Sequence, residues 1–366
     1  MLAILQRRRV DLAAAIALIV GLCILSTPQV SRFVLPLRGD LRGYDIVAWW
    51  QAATSLVNGL QVFPYHDIPD FFYPAPYVVL FTPLALFSTD TARVLAQVGT
   101  AIGMVGVIAF WAWREGGHDA GDGHIEWPAW LLGLSLPVVV AVYLGQLSTT
   151  IGLVAFTVAV WAQRKGLAWL VGAAAAVGAI RLGNALPIIA MLAVGMWGKP
   201  RQLVVAAISA AVVLLPMIVV TTLWYPDWAS DYLHFVGDYR WGLPAVMRGL
   251  VGPAGNVLVQ AVACGIAVFL VRRYTGRPLD LDRAAAVIAV TMLVAPLTAA
   301  YTAAFALPAV IRASMRPRMR LVIAIALVVP WLSVFGPENS PLAPFVLGPV
   351  LAAIIGLISI RPLLHR

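Results

Sequence analysis

A few polar side chains stand in this chain where chemistry is possible. Asp45 closes the polar segment Arg38–Gly39–Asp40–Leu41–Arg42–Gly43–Tyr44–Asp45, and an apolar stretch follows it at once. A carboxylate there can take a proton from a hydroxyl, or it can cap the N-terminus of the helix that follows. The two roles are compatible, because a carboxylate has a second oxygen. Gln146 follows Gly145 between two apolar runs, and Arg181 with Asn184 interrupts another. A guanidinium in such surroundings either binds phosphate or snorkels from a helix end. Between residues 225 and 253, Trp228, Asp231, His234, Arg240 and Arg248 alternate with aromatic residues. Their rings suit either an interfacial aromatic belt or a sugar-bearing headgroup. His66, Asp67 and Asp70 form a cluster that could attract a metal, but no further His or Cys completes a ligand set.

The elements that hold these residues are set by composition. Of 366 residues, 61% are hydrophobic and only 11% charged, with mean hydropathy +0.90. Such a chain is expected to be an all-α polytopic membrane protein, since backbone polar groups in lipid must be satisfied within each segment. Apolar stretches fall at 10–27, 75–88, 92–113, 127–144, 147–162, 166–181, 184–197, 202–224, 254–271, 284–311, 320–335 and 343–360. A full crossing takes about 20 residues, so several of them are broken or re-entrant. The expectation is one integral membrane domain, 1–366, of about 11–13 helices.

The net charge of +9 is no nucleic-acid signature, because the arginines cluster at segment ends: Arg7–Arg9, Arg272 with Arg273, and Arg312 to Arg320. On the positive-inside rule these clusters are cytoplasmic. Loop 28–74 is then extracytoplasmic, and so is loop 225–253 if 202–224 is the seventh crossing. Arg7–Arg9 followed by Leu12–Leu25 reads as an uncleaved signal anchor. Residues 75–201 admit two threadings: 75–88 and 92–113 cross separately and 166–197 crosses once, or the reverse. Cys23 and Cys264 both lie in apolar runs and read as small core residues.

Ile46–Val57 carries apolar residues at 46, 49, 50, 53, 56 and 57, one face of a helix. Trp49 and Trp50 place it along the headgroup layer. Asn58–Gly59, Tyr65 and Phe72–Tyr73–Pro74–Ala75–Pro76 follow, then Thr82–Pro83–Leu84.

In this combination, Asp45–Ile–Val–Ala–Trp–Trp–Gln–Ala–Ala with the motifs after it resembles glycosyltransferase family 87. Leu144–Gly145–Gln146–Leu147–Ser148 is similar to the family's Gly–Gln element, and Leu293–Val–Ala–Pro296–Leu–Thr to its late helix start. The likeness covers most of residues 40–310. Two departures stand out: Arg181–Leu182 where relatives tend to carry Lys–Pro, and Ala299, Ala300 and Tyr301 where they tend to carry Trp and His.

The resemblance implies a GT-C bundle in a bacterial inner membrane, with its active site on the extracytoplasmic face. It implies inverting transfer of a hexose, mannose first, from a polyprenyl-phosphate donor to a lipid-linked or cell-wall glycan. Asp45 would be the general base. Arg42, Arg181, Arg240 and Arg248 would bind the donor phosphate. Tyr44, Tyr65, His66, Tyr73, Gln146, Asn184, Trp228, Asp231, His234 and Tyr301 would contact sugar or acceptor. The implied partners are the donor, a glycolipid or glycan acceptor and membrane lipids, with no nucleic acid. No cofactor is implied, and a divalent metal is left open. Two alternatives stand beside this reading: a transporter or flippase of lipid-linked sugars, and a non-catalytic polyprenyl-lipid-binding relative.

Overall fold

Glycine and proline punctuate the apolar runs and decide where helices begin. Pro28, Pro64, Pro76, Pro83, Pro137 and Pro200 all lie in the first turn of a helix, where the missing N–H removes no intrahelical bond. The computed structural model describes residues 2–34, 43–60, 62–68, 71–116, 125, 127–238, 261, 265–266, 268–269, 271–280, 287, 304–305 and 307–314. Every regular element among them is helical.

Along the chain come α1 (Leu2–Leu25), α2 (Pro28–Val34), α3 (Tyr44–Asn58) and α4 (Pro64–Asp67). The short α5 (Val78–Phe81) lies between 3-10 turns at Ala75–Tyr77 and Thr82–Leu86. Then follow α6 (Thr89–Gly116), α7 (Trp127–Leu131), α8 (Leu136–Tyr143) and α9 (Leu147–Arg164). α10 (Ala168–Gly178) leads through a 3-10 turn, Ala179–Arg181, into α11 (Leu182–Gly195). α12 (Pro200–Trp224) and α13 (Trp228–Asp238) come next, and a further helix occupies Leu307–Ser314. The stretch expected at 75–88 is thus three short pieces, shorter than a crossing. The stretches at 320–335 and 343–360 lie outside the described residues, as do most of 254–271 and 284–311.

Among the described residues, two helices are long and apolar enough to cross a membrane: Thr89–Trp113 within α6, and α12. Their surroundings differ. Half of the apolar window of α6 is buried inside the protein but only 11% of that of α12. α6 packs among α1, α8 and α9, whereas α12 leans mainly on α10 and turns Val212, Leu215, Val219 and Leu223 outward.

The buried side chains of the described residues form two cores. The larger is mainly aliphatic, with Trp111, Phe156 and Phe305 among its members, and joins α1, α6, α8, α9, α10 and α11 around Leu22, Ile108, Val139, Leu153 and Ile188. The smaller one is aromatic. Trp49 of α3, 1% exposed, stacks on Phe81 with centroids 4.1 Å apart and lies against Tyr73 at 4.5 Å and Phe71 at 5.0 Å. Burying an indole with ring neighbours on several sides contributes about 2–4 kcal/mol.

This corrects the headgroup-layer placement of Trp49: its ring is inside, because residues 71–81 fold back over α3 and supply rings to stack on. Trp50 is half-buried and donates its indole N–H to the Phe87 carbonyl at 2.9 Å. The inward face of α3 is also wider than its apolar spacing predicts. It includes Asp45 and Ser55, while Val57 is 53% exposed.

Candidate functional site

Asp45 is brought inward by two glycines. The residue before α3 is Gly43, in the left-handed region at φ +62°, and the residue before Gln146 is Gly145, at φ +64°. L-residues resist that conformation by about 1–2 kcal/mol. The two glycines also lie against each other: a Cβ on Gly145 would sit 3.5 Å from the Gly43 Cα. Gly43 donates its N–H to the Tyr143 carbonyl at 2.9 Å, and Gln97 of α6 donates to the same carbonyl at 3.1 Å. This junction pins the start of α3 to the loop between α8 and α9.

The N-cap reading of Asp45 is overturned here. Gly43 is the cap residue and makes no side-chain cap bond, while Asp45 is the second residue of the helix. Its carboxylate points inward and is 8% exposed. The reason is the left-handed glycine, which lets Tyr44 start the helix one residue early and turns Asp45 toward the core.

Gln146, wholly buried, is the hub of the site. Its amide Nε2 donates to Asp45 Oδ2. Its Oε1 accepts from Arg181 Nη2 and from Thr149 Oγ1, the latter at 3.1 Å. The same Arg181 Nη2 donates to Thr149 Oγ1 at 2.7 Å. Tyr73 closes the ring: its hydroxyl lies 3.4 Å from Asp45 Oδ1, and its face lies 5.1 Å from the Arg181 guanidinium. The amide orientation follows from chemistry. A flipped Gln146 would set oxygen against carboxylate and N–H against guanidinium, both repulsive.

Arg181 is 8% exposed, in the 3-10 turn between α10 and α11. It reaches inward to Gln146 and Thr149, which excludes the snorkelling reading.

The outer rim joins the two loops. Tyr65 of α4 lies within ring contact of Tyr225, Tyr232 and Phe235 at 5.6–6.0 Å, and Phe72 also meets Phe235. The Tyr65 hydroxyl donates to the Tyr73 carbonyl at 2.6 Å and accepts from the Ala75 N–H at 2.8 Å. This clamp fixes the backbone that carries Tyr73. Asp231 of α13 accepts from the Tyr225 hydroxyl and lies 2.9 Å from His66 Nε2. The Tyr225 hydroxyl, then His66, hold the Asp231 carboxyl below its ordinary range. Burial pushes the phenols of Tyr65 and Tyr225 up, and that of Tyr232 up to about 12, with the Arg181 charge opposing the last.

The residues expected at a site therefore divide. Asp45, Tyr73, Gln146 and Arg181 come together inside, while Tyr65, His66 and Asp231 meet at the rim. Tyr44 is 41% exposed, beside the cluster in sequence but on the outer surface. Trp228 donates its indole N–H to Thr222 at 3.1 Å, and His234 is exposed on α13. Asn184 lies in the first turn of α11; its side chain is outside the described set. Arg42, Arg240, Arg248, Tyr301 and Asp70 lie outside the described residues. Thr149 escaped the sequence reading, although it sits three positions after Gln146, the spacing at which a helix start brings side chains together. Among the described residues no group of three or more His, Cys, Asp or Glu could hold a metal ion.

No family model, no curated protein and no solved structure matches this chain. The likeness to family 87 therefore stands on the quoted motifs alone.

Proposed function

We propose that the chain is a multi-pass membrane glycosyltransferase of the GT-C class. It transfers a hexose, mannose first, from a polyprenyl-phosphate donor to a lipid-linked or cell-wall glycan, with inversion, on the extracytoplasmic face. One observation carries the proposal: the buried carboxylate of Asp45 connects through Gln146 to the guanidinium of Arg181. A proton acceptor and a phosphate-binding cation are thus held one side chain apart, the two groups that a phosphate-leaving displacement uses. The family-87 motifs support the same reading independently, since they place Asp45 at the base position.

In the mechanism, the acceptor oxygen attacks the anomeric carbon from the face opposite the phosphate. The bond from that carbon to the phosphate oxygen breaks, and polyprenyl phosphate leaves with the electron pair. Asp45 takes the acceptor's hydroxyl proton as the new glycosidic bond forms. Donors on both of its oxygens match the ionised, acceptor-only form of the carboxylate. Arg181 stabilises the phosphate as negative charge collects there.

The test is Asp45→Asn in purified protein, with a labelled polyprenyl-phosphate hexose as donor. Transfer should fall about 10²–10⁴-fold, the usual worth of a general base, with donor binding retained. Undiminished transfer in the variant would refute the assigned base. Donor binding by the wild type with no transfer to any glycan acceptor would favour the lipid-binding alternative; movement of the donor across vesicles would favour the flippase.

A further inference from the structure

The polar cluster contains more than the base and the cation require. Gln146 touches both, is wholly buried, and has each end of its amide engaged. Thr149, one helical turn further along α9, fixes the amide oxygen from the other side. The backbone N–H of Gln146 is tied to the Ala141 carbonyl at 2.8 Å, and its own carbonyl accepts from Thr150. The side chain therefore leaves a rigid, doubly anchored backbone and has one orientation available. A group so enclosed lies behind the reacting atoms.

We infer that Gln146 is a positioning residue that couples Arg181 to Asp45, so that the base is aligned when the cation is engaged. The inference rests on the transferase reading and deepens it. The amide carries the coupling because its ends have opposite character. Arg181 draws on the carbonyl oxygen, which polarises the amide and strengthens the N–H bond to the Asp45 carboxylate. Because the amide is fixed at both ends, it holds the carboxylate and the guanidinium in one mutual alignment, with the phosphate-binding cation and the base at a set separation. Among the described residues, the titratable and charged groups around Asp45 include Tyr73, from the segment before the Ala75–Tyr77 turn, and Arg181, from the turn after α10. Arg93 of α6 packs on Gly43 at the start of the same helix, and Tyr232 of α13 faces Arg181.

Two variants separate this role from its rivals. Gln146→Leu removes both amide ends at similar volume. Gln146→Glu keeps the shape and replaces the N–H donor with a negative charge. In both, the acid limb of the pH–rate profile should move upward by about one pH unit or more, because the carboxylate loses a donor or gains a like charge. kcat should fall, and KM for donor and acceptor should stay within about twofold. A raised acceptor KM with an unmoved limb would make Gln146 a sugar contact and overturn the proposal. A fall in kcat with the limb unmoved would reduce it to a structural residue and overturn it equally.

A second measurement keeps the test separate from turnover. The carboxyl stretch of Asp45, identified as the infrared band lost in Asp45→Asn, can be titrated directly in wild type and in Gln146→Leu. A band that titrates identically in the two refutes the coupling. A band that moves, in a protein that never transfers a hexose, sustains the coupling and refutes the transferase reading.

Discussion

Asp45 and Asp231 are both aspartates near the start of a helix on the side of the molecule where the two loops meet, yet their surroundings make them different chemical objects. Asp45 is buried, and its neighbours Gln146 and Tyr73 present donors to each of its oxygens. Asp231 is a quarter exposed and shares one oxygen between Tyr225 and His66, whose side chain is 60% exposed. Around the first, water is excluded and every hydrogen bond counts nearly in full. Around the second, water competes for each partner. A carboxylate proposed for proton transfer and one that fastens two loops are therefore told apart by what encloses them, and sequence position alone does not separate them.

The largest break in that contrast would come from exchanging its outcomes. Asp45→Asn should abolish most transfer, whereas Asp231→Asn should change it by no more than about fivefold, as expected of an exposed pair. A rate assay on the two variants side by side decides this, and equal losses would collapse the distinction. Next in size is Arg181→Ala, which removes the cation beside the inner carboxylate only. Donor KM should rise about 10–100-fold, the worth of hydrogen bonds to a charged group. An unchanged KM with lowered thermal stability would make Arg181 purely structural.

Smaller again is Gly145→Ala. Its Cβ would make only ordinary contacts of 3.4–3.6 Å with Ala96, Gly43 and Ile46, so the change comes mainly from the left-handed backbone. We expect a loss of about 1–2 kcal/mol in unfolding free energy, read by denaturation in detergent. A neutral result would show that the junction does not depend on that conformation.

The smallest effect concerns the rim alone. The folded state holds the Asp231 carboxyl below its ordinary value. Its contribution is thus complete above about pH 4, the ordinary value for aspartate, and is lost as the pH falls through the lower folded value. Acid should loosen α13 in the wild type over that range, and Asp231→Asn should remove this step. Fluorescence of the rim aromatics is the readout, and a step that persists in the variant would assign it elsewhere.

Much of the inner site was legible as an interruption. Gln146 and Arg181 each interrupt apolar runs and Asp45 borders one, and a polar group so placed must find a partner. Helix existence along the described chain was legible for the same reason, from long apolar stretches and prolines at their starts. What escaped was pairing. Gln146 lies 101 residues from Asp45, and no periodicity encodes such a contact. Trp49 was read as interfacial because its local surroundings are amphipathic; its burial depends on Phe71, Tyr73 and Phe81 folding back over it. Thr149 looked like any helix threonine until Arg181 was beside it.

The separation between Asp45 and Gln146 also bears on how the protein is made. Asp45 leaves the ribosome first, Gln146 follows 101 residues later and Arg181 another 35 after that. Until Gln146 exists, burying the Asp45 carboxylate would strand a charge without its main donor, which is strongly unfavourable. The aromatic partners of α3, Phe71, Tyr73 and Phe81, are made well before the polar ones, so α3 can gain its ring contacts first and its polar contacts only afterwards. The inner cluster cannot be complete before the chain has reached Arg181, the member furthest along the sequence.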